Sequence, residues 1–79
     1  MTQLDIRGMR AEAALNEVET FLDSCIRDGL SKVRIIHGKG TGALRQAVRE
    51  NLNGHPLVSE FGTEPDPSGG DGATYVLLN

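Results

Sequence analysis

Val33-Arg34-Ile35-Ile36-His37-Gly38-Lys39-Gly40-Thr41-Gly42 joins two unlike patterns. The β-branched run Val33–His37 reads as a buried central strand, because Val33, Ile35 and Ile36 leave no clearly polar face. Three glycines at alternate positions then read as a loop. Beyond them Leu44, Ala47, Val48 and Leu52 recur at helical spacing, which predicts a helix from about Ala43 to Asn53. Gly54, just before Pro56, closes it.

Upstream, Gln3–Arg7 alternates polar and apolar residues, so Leu4 and Ile6 share one side and Asp5 and Arg7 the other. That period of two predicts a strand ended by Gly8. From about Ala11 to Asp28, Leu15, Val18, Leu22, Cys25 and Ile26 form one apolar helical stripe, widened by Phe21, with Gly29 as its cap. Downstream, Leu57–Phe61 and Thr74–Leu78 read as two more strands. Gly62–Ala73, with Pro65, Pro67 and glycines at 69, 70 and 72, reads as a mobile hairpin connection longer than most. Met1 and Thr2 read as a start outside the fold, and no internal repeat is found.

The order strand, helix, strand, helix, strand, strand predicts an α/β two-layer sandwich. Right-handed crossovers make the first three strands parallel and put both helices on one face of a four-stranded mixed sheet. The closing hairpin makes the last strand antiparallel. One sheet face is then left without helices.

With 79 residues there is room for one core. Hydrophobic content of 38 % and charged content of 24 % are those of an ordinary globular domain. No apolar run is long enough for a membrane span or resembles a signal peptide, so a cytoplasmic setting is the default. Cys25 is alone, which excludes an internal disulfide and a cysteine-based zinc site, and on an apolar stripe it reads as a core side chain. The net charge of −3 hides an uneven distribution. Lys32, Arg34, Lys39, Arg45 and Arg49 form a block with no acid, while the remainder holds three basic and eleven acidic residues. Such a block is either a phosphate-facing surface or a solvated basic helix face.

Chemistry in parallel α/β sheets gathers beyond the carboxyl ends of the strands. The first strand brings Asp5, Arg7 and Gly8 to that edge, and the second brings His37 and the glycine loop. Gly38, Gly40 and Gly42 let the backbone approach a bound group, and the N–H groups of the next helix attract an anion. Lys39 and Arg45 can add charge, and Thr41 can cap the helix or meet a phosphate oxygen. The loop alone is equally a tight strand-to-helix turn, and it matches neither common phosphate-loop spacing. His37 is either a hydrogen-bonded structural residue or a proton donor and phosphate ligand. Asp5 can activate water, bind Mg²⁺ or Mn²⁺, or simply pair with Arg7 or Arg34. Arg7 can hold a phosphate with two hydrogen bonds. His55 reads as a surface residue. Phe21, Phe61 and Tyr75, the only aromatics, have packing roles, so backbone-directed recognition fits better than base stacking.

Leu4-Asp5-Ile6-Arg7-Gly8 and His37-Gly38-Lys39-Gly40-Thr41-Gly42 together resemble the Leu-Asp-x-His-Gly and His-Gly-x-Gly-x-Gly signatures of Smr (small MutS-related) domains. Gly69-Gly70-Asp71-Gly72 is similar to the family's third feature, and the resemblance runs from about Leu4 to Leu78. Within the family the chain resembles the C-terminal domain of bacterial MutS-like proteins of the second type. The resemblance implies a fold like the C-terminal domain of translation initiation factor three. It implies binding to DNA or RNA, and nicking of phosphodiester bonds linked to suppression of recombination or to stalled ribosomes. It also implies that ATPase and coiled-coil regions precede this chain in a longer protein. Arg7 stands where many members carry histidine, and arginine stays protonated near neutral pH, so it cannot be a general base. The expected site is therefore Asp5 activating water directly or through a metal, Arg7 and Lys39 holding the phosphate, and His37 orienting it or protonating the leaving oxygen. A non-catalytic DNA-, RNA- or ribosome-binding module, or a protein-docking domain, would use the same surfaces.

Overall fold

The structure, a computed structural model, describes residues 2–67 and 69–79. β1 (Gln3–Asp5), α1 (Ala11–Arg27), β2 (Lys32–Ile36), α2 (Ala43–Leu52), β3 (Val58–Thr63), a 3₁₀ turn (Gly70–Gly72) and β4 (Ala73–Leu78) follow one another. The sheet order is β1-β2-β4-β3. β1 pairs with β2 in parallel, whereas β4 is antiparallel to both β2 and β3, so the first three strands share one direction. The last strand thus inserts between the second and third, a placement that the periodicity of the sequence leaves open.

The core has one layer of helix against one of sheet. Ala14, Val18, Leu22 and Cys25 of α1 and Val48 and Leu52 of α2 are buried against Ile6, Val33, Ile35, Val76 and Leu78. Alternation along β2 and β4 puts Val33, Ile35, Val76 and Leu78 under the helices and leaves Arg34, Ile36, Tyr75 and Leu77 partly exposed on the other face. Cys25 is 3 % exposed, and burial pushes its thiol pKa up, as suits a packing residue. The α1 stripe is rotated slightly from the sequence reading: Ala14 is buried, while Leu15, Phe21 and Ile26 pack at its margin.

β1 ends earlier than the alternation suggests. The Asp5 carboxylate accepts a hydrogen bond from the Arg7 backbone N–H at 3.0 Å, which turns the chain at Arg7 and Gly8. Ile6 still donates to the Ile36 carbonyl at 2.9 Å. Thr2 belongs to the fold, since its carbonyl accepts from the Arg34 N–H at 3.1 Å. Met1 lies outside the described residues.

The expected mobile connection is largely built into the sheet and the site. Pairing extends to Thr63 opposite Thr74, and the Glu64 N–H donates to the Ala73 carbonyl. Glu64 is 3 % exposed, and Gly70 and Gly72 are buried. The Gly72 carbonyl accepts from the N–H groups of both His37 and Gly38, at 3.1 and 2.9 Å. These bonds tie the segment before β4 to the end of β2.

Candidate nucleic-acid interface

Parallel pairing sets Asp5 beside Ile36, so the ends of β1 and β2 open at the same edge. Asp5 and Arg7 on one strand end therefore meet the glycine loop on the other. Arg7 Nε–H donates to both Asp5 carboxylate oxygens at 3.0 and 3.1 Å, and Nη2–H donates to Oδ2 at 2.6 Å. The guanidinium hydrogen bonds, with the backbone N–H of Arg7, lower the Asp5 pKa to about 2. Both side chains remain open to solvent, 44 % exposed for Asp5 and 63 % for Arg7.

The Arg7 stem lies across Gly38. A Cβ at Gly38 would stand 3.3 Å from Arg7 Cγ, and the residue's φ of +79° is one that side chains resist. Beyond it the loop turns on a hydrogen bond from the Gly42 N–H to the Lys39 carbonyl at 3.0 Å. Gly42, with φ 85°, caps α2, and Thr41 Oγ1 accepts from the Ala43 N–H at 3.3 Å. The next N–H groups, of Leu44 and Arg45, lie in the first turn, where a helix has no acceptor of its own to offer. Gly8, His37 and residues 38–44 surround a cavity of about 200 Å³ at this point. Backbone donors, a helix N-terminus and Lys39 line this cradle, a chemistry that suits an anion.

His37 stands behind this cradle and is only 5 % exposed. Its Nδ1 lies 2.9 Å from the Gly38 carbonyl, which can only accept, so Nδ1 carries the proton. Nε2 then accepts from the Thr74 hydroxyl at 2.8 Å. Burial is the main cause that pulls the His37 pKa below its ordinary 6.5, with Arg49 and Arg45 adding to the effect. Thr74, which is fully buried, also accepts from Arg49 Nη2 at 3.4 Å, and the same Nη2 donates to Thr63 at 2.8 Å. Sequence reading passed over Thr74 and Thr63 and gave Gly72 no link to His37, because that link exists only once β4 lies beside β2.

The basic block divides between two faces. Lys39, Arg45 and Arg49 belong to the loop and α2, with Arg45 3.9 Å from Asp71. Arg34 sits on the helix-free face, 3.5 Å from Glu64 and bonded to Gln3 at 3.1 Å. Lys32 stands over the Tyr75 ring at 5.4 Å on that same face. His55 is more than a surface residue: its Nε2 donates to Glu19 at 2.7 Å while Nδ1 accepts from the Leu57 N–H, pinning the turn before β3 to α1.

Among the described residues no three His, Cys, Asp or Glu side chains gather where a metal could be held. At the site Asp5 is the one carboxylate of the expected set, and both its oxygens already accept from Arg7. Among the described residues, these side chains as placed do not form a divalent-metal site.

The fold and site define a two-layer α/β domain with a glycine-rich cradle at its parallel strand ends. The Smr domain family model matches residues 4–79. The chain belongs to the Smr domain family. It is similar to a protein named Endonuclease MutS2 from Enterococcus faecalis, with 49 % identity over 75 residues, 95 % of this chain and 10 % of that protein. A protein of the same name from Carboxydothermus hydrogenoformans is 50 % identical over 76 residues, 96 % of this chain and 10 % of that one. The chain thus spans about a tenth of the length of these relatives. Among solved structures, the crystal structure of the Smr domain of Thermus thermophilus MutS2 superposes with a TM-score of 0.98 at 44 % identity, covering 100 % of this chain and 99 % of that one. YdaL, a stand-alone small MutS-related protein from Escherichia coli, superposes with a TM-score of 0.92 at 31 % identity, covering 99 % of this chain and 64 % of that one.

Proposed function

We propose that this domain grips a nucleic-acid backbone at the glycine loop and nicks the phosphodiester held there. The cradle of Gly38–Leu44, with Lys39 in it and the Arg7 stem across Gly38, carries the reading. A phosphate there receives backbone N–H donors and the positive end of α2, with Lys39 as the counter-charge. Arg45 lies within the same turn and adds to the field.

In the cleavage step Asp5 orients a water and takes its proton as the water oxygen bonds to phosphorus, while the P–O bond to the leaving sugar oxygen breaks and solvent water protonates that oxygen. Arg7, anchored on Asp5, offsets charge on the phosphate oxygens. An aspartate with a pKa near 2 is a weak base at neutral pH, so turnover is slow. His37, buried and neutral, positions the loop through Gly38 and Thr74, in preference to donating a proton. Mg²⁺ or Mn²⁺ at Asp5 would compete with Arg7 for the same carboxylate oxygens. A branched DNA is the substrate that would connect this activity to suppression of recombination. ATPase regions of a longer MutS-like protein would bring the domain to it in the cytoplasm.

The same observations on Asp5 and His37 favour a second reading, a module that holds a DNA, RNA or ribosomal backbone without cutting it. Supercoiled plasmid, branched DNA and RNA incubated with wild type, Asp5→Ala and Lys39→Ala separate the two. Nicking by wild type that both variants lose, with or without chelator, supports the nuclease. Equal cleavage by all three proteins, or none, removes it and leaves the binding module.

A further inference from the structure

The glycine loop has a second side. On the helix-free face a cavity of about 320 Å³ opens among Arg7, Arg34, Ile36, Lys39, Gly72 and Ala73. Gly38 and Lys39 line both this cavity and the anion cradle, so they form the wall between the two.

The chemistry of the two sides differs. Two of the three cations at the second cavity are already compensated, Arg7 by Asp5 at 2.6 Å and Arg34 by Glu64 at 3.5 Å. A second phosphate would find little free charge there. Ile36 supplies apolar surface, with the buried Ala73 behind it, and guanidinium groups are good neighbours for flat aromatic rings. Gly72 strengthens the case. Its φ is not left-handed, and the atoms nearest a Cβ built on it, of Gly38 and Lys39, lie at an ordinary 3.6 Å. Neither the backbone nor packing within the chain requires glycine there. What its missing side chain leaves is space between Gly38, Lys39 and Ala73.

We infer that this cavity receives an unpaired nucleobase of the strand whose phosphate rests on the glycine loop. The base lies against Ile36 beside the two arginines, with Gly72 providing the clearance. The inference rests on the phosphate-gripping reading and adds to it a preference for strands with an extruded base. No aromatic platform is needed, because apolar side chains and guanidinium groups take its place.

The test uses a duplex carrying a single unpaired 2-aminopurine and its fully paired counterpart, each as DNA and as RNA. Wild type should bind the unpaired form about tenfold tighter, the effect of stacking a base on a desolvated guanidinium. On binding, the 2-aminopurine should become shielded from acrylamide quenching. Gly72→Val, which fills the cavity, should bring the affinity ratio close to one, and its binding to the paired duplex reports that it is folded. Equal wild-type affinities, a probe still open to acrylamide, or a ratio that survives Gly72→Val would overturn the inference. Lys39→Ala weakens the paired duplex if the phosphate grip is right, whichever way the base result falls.

Discussion

Arg7 closes on Asp5 through a 2.6 Å bond from Nη2 and two from Nε, two residues along the same chain. The pair holds the family's first motif together at the strand end. It also defines what each partner can do: the arginine is oriented and the aspartate stays ionised. A titration of Asp5 by carboxylate NMR should give a midpoint near 2, moving back towards 3.8 in Arg7→Gln. Because the folded value is depressed, the pair's stabilisation is present above 3.8 and is lost as pH falls towards 2. Any nicking activity should accordingly show no acid limb from Asp5 above about pH 4.

His37 gives the same sign in a different window. Its folded pKa is lowered, so below 6.5 the unfolded chain binds the proton more readily than the native one. The stability His37 contributes is complete above 6.5 and declines as pH falls through that value. Denaturant midpoints measured from pH 7.5 to 5 should drop more in wild type than in His37→Gln. His37→Ala should cost about 2 kcal/mol or more at neutral pH, because Thr74 and the Gly38 carbonyl lose their partner.

Gly38→Ala tests the loop's backbone. The left-handed φ of +79° costs a side chain about 1–2 kcal/mol, and the 3.3 Å approach displaces the Arg7 stem as well. Thermal unfolding should therefore fall by several degrees, and the NMR midpoint of Asp5 should rise as Arg7 is disturbed.

Arg34 and Glu64 form the most buried ion pair, with side chains 19 % and 3 % exposed. Removing one partner strands the other, so Glu64→Leu or Arg34→Met alone should cost about 3–5 kcal/mol by chemical denaturation. The double variant should recover most of that loss. Additive losses would show that the two side chains act independently.

How far the sequence could be read follows from the range of each interaction. The β2–loop–α2 unit and the α1 stripe rest on neighbours within a few residues, and their bounds are close to those expected from periodicity and glycine spacing. The convergence of Asp5 with the glycine loop follows from parallel strands alone. Insertion of β4 between β2 and β3 has no local signature, and Thr74 and Gly72 reach His37 only through it. Glu64 looked like one acid in a polar loop, yet it is buried because Arg34, thirty positions earlier, projects from the same sheet face. The two faces of the basic block, too, depend on which side of β2 each residue takes.

The central claim is that the loop from Gly38 to Gly42 holds a backbone phosphate with Lys39 as its counter-charge. Affinity for a paired duplex, measured from 50 to 300 mM salt for wild type and Lys39→Ala, tests it most directly. The claim predicts affinity about fivefold to tenfold lower in the variant at the low-salt end, and a slope of log K against log salt smaller by about one. An unchanged slope and affinity would place the backbone elsewhere on the domain and contradict the account.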